Sequence, residues 1–143
     1  MQIKIVADTC IIYNDAVLLV KANYRDFWQF PGGHAEVGET PHQTATRETM
    51  EEVGGGITVT RLLVLNTELN EHGKADTLCF LFAGLYDGKT PITLQETELT
   101  EFAWVPVDQA AARLHPLVAP LFAHALKGLK ENSTIYLEGA HTI

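Results

Sequence analysis

Apolar residues recur along this chain with two different periods, and each period predicts a different element. From Gln2 to Tyr13 the run QIKIVADTCIIY is rich in β-branched residues with partial alternation, and Ala16 to Val20 is a second apolar run after Asn14-Asp15. Together they predict a β-hairpin closed by an Asn-Asp turn. Phe27 to Phe30 predicts a short strand that sends Trp28 and Phe30 to one face and stops at Pro31. Ile57 to Asn66 and Asp76 to Tyr86 predict two longer strands, with the polar segment Glu68 to Ala75 between them on the rim of a pocket. Phe102 to Val105 predicts a final core strand before Pro106. Helical spacing takes over in Asp108 to Leu114 and Ala119 to Leu129, where Leu117, Leu121, Ala125 and Leu129 form an i+4 ladder. Thr134 to Leu137 is a weak strand candidate in the tail with no role assigned to it.

One stretch, PGGHAEVGETPHQTATRETMEEVGGGI from Pro31 to Ile57, carries unusually complete helix signals. Thr40 suits the N-cap, Pro41 the first helical position, and Gln43 the N3 site of a capping box. Gly54 suits a left-handed exit. At about 100° of rotation per residue, Glu48, Glu51 and Glu52 share one helical face, while Ala45, Thr49, Met50 and Val53 fall away from it. Arg47 lies next to Glu48 and four residues before Glu51, so it can orient a carboxylate. Such a face should bind a cation, although three acids taken alone are also ordinary for a solvated helix surface.

Composition narrows the partners. The chain has 143 residues, 46% hydrophobic and 20% charged, which fits one globular domain over residues 1–143. Ten Lys and Arg against 18 Asp and Glu give a net charge of -8, which opposes docking on a nucleic-acid polymer and leaves a small phosphorylated ligand arriving with a divalent metal. Cys10 and Cys79 sit in apolar strand runs without metal-ligand spacing and are read as reduced core residues. No signal peptide or membrane-length apolar run is present, so a soluble cytoplasmic protein with no membrane partner is expected. His42, His72, His115, His124 and His141 show no ligand spacing and are expected at the surface or in the core.

Gly33, Glu39, Arg47-Glu48, Glu51-Glu52 and Gly54 match G-x5-E-x7-R-E-U-x-E-E-x-G-U, where U is aliphatic. Seven identities at fixed spacing coincide by chance on the order of 10⁻⁸ per start position. The pattern resembles the box of the Nudix hydrolases, the MutT-like family, and Phe30-Pro31-Gly32 ahead of it is similar too. Two positions depart. Thr49 fills the first aliphatic slot, where its methyl can pack and its hydroxyl can bond back to the Ala45 carbonyl, and Gly55 fills the second.

The resemblance implies an α/β fold, an α/β/α sandwich around a mixed sheet. It further implies Mg²⁺-dependent (or Mn²⁺-dependent) hydrolysis of a nucleoside diphosphate linked to another group. Glu48, Glu51 and Glu52 fall on metal-ligand positions, with the Gly32 carbonyl a further ligand, and Glu39 and Arg47 fall on supporting positions with Gly33. Glu98, in the E-x-x-E-x-x-W run Glu98, Glu101, Trp104, resembles a loop that delivers a general base, with Glu96 as its neighbouring alternative and a box glutamate as the other. His34 is a candidate phosphate contact, and Trp28, Phe30, Phe80 and Phe82 are candidates for stacking on a base. Thr67 to Ala75 lacks the markers expected for ADP-ribose, diadenosine polyphosphate or dinucleotide substrates, which favours a nucleoside or deoxynucleoside triphosphate. A nucleotide-sugar substrate, or a non-catalytic nucleotide sensor, is the alternative. Family members are often dimers, and the tail could contribute to such an interface.

Overall fold

The computed structural model describes residues 2–95 and 99–143. Strands β1 (Lys4–Tyr13) and β2 (Ala16–Lys21) form the expected hairpin, and Asn14 and Asp15 both have positive φ, 50° and 60°, as a tight two-residue turn demands. After β3 (Gly32–His34) come α1 (Pro41–Val53), β4 (Ile57–Leu69) and β5 (Ala75–Tyr86). The chain continues through β6 (Glu101–Pro106), α2 (Val107–Arg113), α3 (Ala119–Glu131) and β7 (Ile135–Glu138). The sheet order is β6-β2-β1-β5-β4-β7, with β3 added on β1. It is mixed, because β1 pairs β5 in parallel and β4 pairs β7 in parallel, while the other pairings are antiparallel.

Both faces of this sheet are covered, so its central strands read as continuous apolar runs. Leu18 joins Ile11, Val20 and Val53 under α1, whereas its neighbour Leu19 joins Leu63, Leu81, Phe122 and Leu137 under α3. Each such fully buried side chain contributes roughly 1.5–3 kcal/mol relative to exposure. The result is the α/β/α sandwich that the sequence implied. No helix among the described residues is long and apolar enough to cross a membrane.

Several expectations need correcting. Phe27 to Phe30 makes only isolated bridges, Gln29 with Val20 and Trp28 with Leu114, and the strand lies beyond Pro31. Val6, Ala7 and Asp8 offer their free edge to His34, Gly33 and Gly32, so the two glycines pair with β1 instead of ending a strand. Leu117 is 72% exposed because it precedes the Val118 cap of α3, and Leu129 is exposed because an i+4 ladder drifts about 40° per step. Met50 is 59% exposed, one position round the helix from buried Thr49. The Thr49 hydroxyl does not bond back along its helix. It meets Thr9 Oγ1 of β1 at 2.8 Å, a buried pair that ties α1 to the sheet.

The tail also acquires a role. β7 pairs with β4, Val64 opposite Ile135 and Asn66 opposite Leu137, and so completes the sheet edge. Arg61 on β4 donates to the carbonyls of Gly128 (2.6 Å) and Ser133 (2.9 Å), satisfying the C-terminal end of α3 where the chain turns into β7.

Candidate active site

The local signals around α1 act as the sequence predicts. Thr40 Oγ1 accepts from the Gln43 N–H at 3.1 Å, and Gln43 Oε1 accepts from the Thr40 N–H at 2.9 Å. At the other end Gly54 departs from the expected left-handed form, with φ 95° and ψ -173°, and its N–H donates to Met50 O. With both ends fixed, Ala45, Thr49 and Val53 are buried against the sheet. The acidic face therefore does not simply look at solvent. Glu52 is 4% exposed, Glu48 is largely enclosed, and Glu51 points outward.

Arg47 is the hub of the acids. Its Nε and Nη2 donate to the two oxygens of Glu39 at 2.7 and 3.0 Å, and its Nη1 donates to Glu48 at 2.9 Å and Glu51 at 3.3 Å. Nη2 also reaches the His34 carbonyl at 3.2 Å. This two-pronged grip holds the Glu39 carboxyl down at about 2, with the Arg47 bonds the largest cause and the Glu36 N–H adding to them. The pairing raises the already high pKa of Arg47 further, so it stays a cation. Glu39 thus bonds Arg47 and the Gly38-side loop directly, and it does so without contacting the other box acids itself.

The Gly32-Gly33 strand brings backbone to these carboxylates. The Gly32 N–H donates to Glu52 Oε1 at 3.2 Å. A Cβ on Gly33 would lie 2.5 Å from the Glu48 carboxyl carbon, and one on Gly32 would collide with the Asp8 carboxylate. Gly32 must be glycine because β1 backbone, Ala7 O and Asp8 Cα at 2.6 Å, also fills that space, whereas at Gly33 only the Glu48 carboxyl stands in the way.

Glu48, Glu52 and Gly32 open into one cleft of about 1000 Å³, the upper end of the range for small-molecule sites. His34, exposed, lines it too, as do Trp28, bridged to Leu114, and Phe27, edge-on to His115. Phe30 reaches the cleft too, yet it is buried against Phe122 with centroids 5.9 Å apart, so it serves as wall and core together. Phe80 and Phe82 stack on each other under α1, with His42 edge-on to Phe82, and do not line the cleft. Glu96 and Glu98 lie outside the described residues. The adjoining Trp104 packs against Tyr13 and Tyr86, away from the cleft.

Two cleft residues, Asp8 and Asn66, escaped the sequence reading, and a third, Glu68, was expected on a pocket rim but lies within β4 instead of in a loop. Asp8 on β1 is pushed up to about 8, chiefly by burial and then by the charges of Glu68 and Glu48. Glu68 on β4 is raised by burial and by Asp76. Asn66, also on β4, is 3% exposed and lines the same floor. The only signal of Asp8 and Asn66 was a polar side chain interrupting or ending an apolar strand run. Cys79 lies between them, unbridged, and its thiol is pushed upward by burial and by Asp8.

The donor set is entirely oxygen, which suits a hard divalent cation. Among the described residues no three His, Cys, Asp or Glu side chains converge on one point. Mg²⁺ does not require that, since it retains waters and takes one or two carboxylates together with phosphate oxygens of a ligand. Glu48, Glu52 and the Gly32 backbone, brought together in the cleft by the Gly32 N–H bond to Glu52 and the approach of Gly33 to Glu48, fit that pattern of binding.

A mixed sheet between helices, with a glycine strand leading into an acid-faced helix, defines a class of fold built around one loop-helix-loop. The profile described as NUDIX domain matches residues 4–125, and the chain belongs to the Nudix family. An 8-oxo-dGTP diphosphatase of Proteus vulgaris is 46% identical over 48 residues, 34% of this chain and 41% of that one. An ADP-ribose pyrophosphatase of Mycobacterium tuberculosis is 33% identical over 92 residues, 63% of this chain and 44% of that one. The chain therefore spans less than half the length of these two curated relatives. In fold it is similar to a NUDIX hydrolase from Nitrosomonas europaea, with a TM-score of 0.74 at 23% identity, covering 93% of this chain and 92% of that one.

Proposed function

We propose that this protein hydrolyses a phosphoanhydride bond in a nucleoside diphosphate linked to a further group, with a nucleoside or deoxynucleoside triphosphate as the substrate. The observation that carries this reading is a single cleft whose lining includes both the carboxylates and glycine backbone, Glu48, Glu52, Gly32 and Gly33, and the aromatic side chains of Trp28 and Phe27. A nucleotide calls for both kinds of lining, carboxylate-held cations for its phosphates and aromatic rings for its base. The similarity to an 8-oxo-dGTP diphosphatase supports the triphosphate, and the similarity to an ADP-ribose pyrophosphatase makes nucleotide sugars the comparison class.

Charge dictates the cofactor. A cleft lined by the carboxylates of Glu48 and Glu52, in a chain of net charge -8, repels a polyphosphate unless cations accompany it. Mg²⁺, or Mn²⁺ in its place, supplies neutralisation of the diphosphate and an acidified water when bound. Glu48, Glu51, Glu52 and the Gly32 carbonyl would hold it. Arg47 fixes Glu48, and Glu39 in turn fixes Arg47. His34 is placed to contact a phosphate, and Trp28 to cover the base. Glu98 is the proposed general base.

Phosphate release from a nucleotide panel, with Glu51→Gln and Glu52→Gln beside the unaltered protein, tests the ligand assignment. Both variants are expected to lose metal-dependent turnover, and full turnover in both would refute the assignment. Glu98→Gln is expected to lower turnover by roughly 10² or more, and a near wild-type rate would move the base to a box glutamate.

A further inference from the structure

The turn after β7 stands on the cleft side of the sheet. Asn66 lines the cleft and its Oδ1 accepts the Ala140 N–H at 2.9 Å, so the backbone of Ala140 must rise above the floor on the face to which Asn66 points. Gly139 N–H donates to Thr67 O at 2.8 Å, and Glu138 and His141 exchange N–H to carbonyl bonds of 3.0 and 3.1 Å. Four hydrogen bonds thus hold a two-residue turn whose central residues both have positive φ, 57° at Gly139 and 66° at Ala140. Alanine takes that conformation only at a cost, which the bonds on either side sustain.

Strand register relates this turn to the carboxylates. His34 on β3, Val6 on β1, Cys79 on β5 and Asn66 on β4 are successive partners across the sheet, and all four line the cleft. Three strand spacings separate β3 from β4, roughly 14 Å. On the β3 side Gly32 and Gly33 meet Glu52 and Glu48. On the β4 side Gly139 and Ala140 line the cleft with Leu69 beside them, and a Cβ on Gly139 would touch the Leu69 side chain at 3.5 Å. Without the turn, the floor would run past Asn66 over β7 and out to solvent. Gly139 and Ala140 lie beyond residues 4–125 that match the family, so the family match does not supply this wall.

We propose that the turn after β7 is a specificity-determining wall, which limits the size of the group that a ligand lodges over Cys79 and Asn66. This rests on the nucleotide reading above: with its phosphates at the glycine strand, a nucleotide lying across the strands brings its base against the turn. Gly139 and Ala140 offer backbone and a single methyl, so the wall selects by shape and not by charge. A base that fits the space is accepted, and one enlarged by a fused ring meets backbone that four hydrogen bonds hold in place.

The width of this space can be measured without a substrate. Cys79 is a free thiol on the floor beside Asn66, 7% exposed, while Cys10 lies in the core at 1%. The wild type is compared with a chain ending at Glu138 and with full-length Ala140→Pro, which loses the N–H given to Asn66 and cannot take a positive φ. Alkylation of Cys79 by N-ethylmaleimide and by a bulky fluorescent maleimide is followed by mass spectrometry. Removing or unlatching the turn is expected to speed the bulky reagent about tenfold relative to the small one, and an unchanged ratio in either folded variant overturns the inference. In the wild type alone, the bulky reagent should be disfavoured at Cys79 by about that factor against the urea-unfolded chain, and equal relative rates overturn the inference with no variant needed. With triphosphates, both variants are expected to lower about tenfold the ratio of KM for etheno-ATP, whose base carries an extra fused ring, to KM for ATP; an unchanged ratio overturns it too. If no triphosphate is hydrolysed at all, the hydrolase reading fails by itself and the thiol rates still decide the wall.

Discussion

Gly33→Ala is a small perturbation aimed at one contact. Gly33 does not have a positive φ, so alanine meets no backbone strain there. Its Cβ would lie 2.5 Å from Glu48 Cδ and 2.7 and 2.8 Å from the two carboxylate oxygens. Unbonded carbon atoms prefer about 3.5–4.0 Å, so the Glu48 carboxyl must retreat by about 1 Å. It is the far end of a flexible side chain and can do so without moving the helix. Weakening its bond to Arg47 costs about 0.5–1.5 kcal/mol, while replacing glycine by alanine returns about 0.4–1 kcal/mol through the unfolded chain. Stability should therefore hold within about 1 kcal/mol, a change of a few degrees in Tm. Turnover is different, because a displacement of about 1 Å in a catalytic constellation costs about 10². The assay pairs metal-dependent hydrolysis with thermal unfolding. A drop of about a hundredfold at near-native Tm is expected, and full turnover in a folded Gly33→Ala protein would refute the placement of Glu48 against this glycine.

Three further outcomes follow from the same geometry. Arg47→Lys removes the fork that grips Glu39 and Glu48, and it should weaken Mn²⁺ binding, read by titration, roughly 10- to 100-fold. Thr9→Val or Thr49→Val alone strands a buried hydroxyl and should cost about 1–3 kcal/mol in urea unfolding, whereas the double variant should fall close to wild type. Glu39 is held at about 2 against an ordinary 4.5, so its contribution to stability is present above about pH 4.5 and is lost as pH falls toward 2. Unfolding curves of wild type and Glu39→Gln should thus separate above pH 5 and converge near pH 2.

How much of this was legible depends on how local each cause is. The start of α1 could be read because Thr40, Pro41 and Gln43 bond within one turn. The β1–β2 turn was legible for the same reason. Thr49 was misread because its partner, Thr9, comes from a strand 40 residues away, and no helical rule supplies it. The strand at Gly32 to His34 was missed because glycine carries no apolar pattern, and only the free edge of β1 makes those residues a strand. The parallel pairing of β7 with β4 gave Thr134 to Leu137 its role, and nothing near Ile135 announces it. At the site, the box acids and Arg47 declared themselves by spacing. Asp8 and Asn66 did not, since a polar residue in an apolar strand gains meaning only when three strands line up beneath one cleft, whereas Glu68 stood at the start of the segment read as a pocket rim.

The most direct measurement is turnover of a panel of nucleoside triphosphates and nucleotide sugars by the wild-type protein, with Mg²⁺ and with the metal chelated. Hydrolysis of a triphosphate that requires the metal and exceeds that of ADP-ribose is the predicted result. Absence of metal-dependent turnover on every diphosphate-linked compound would contradict it.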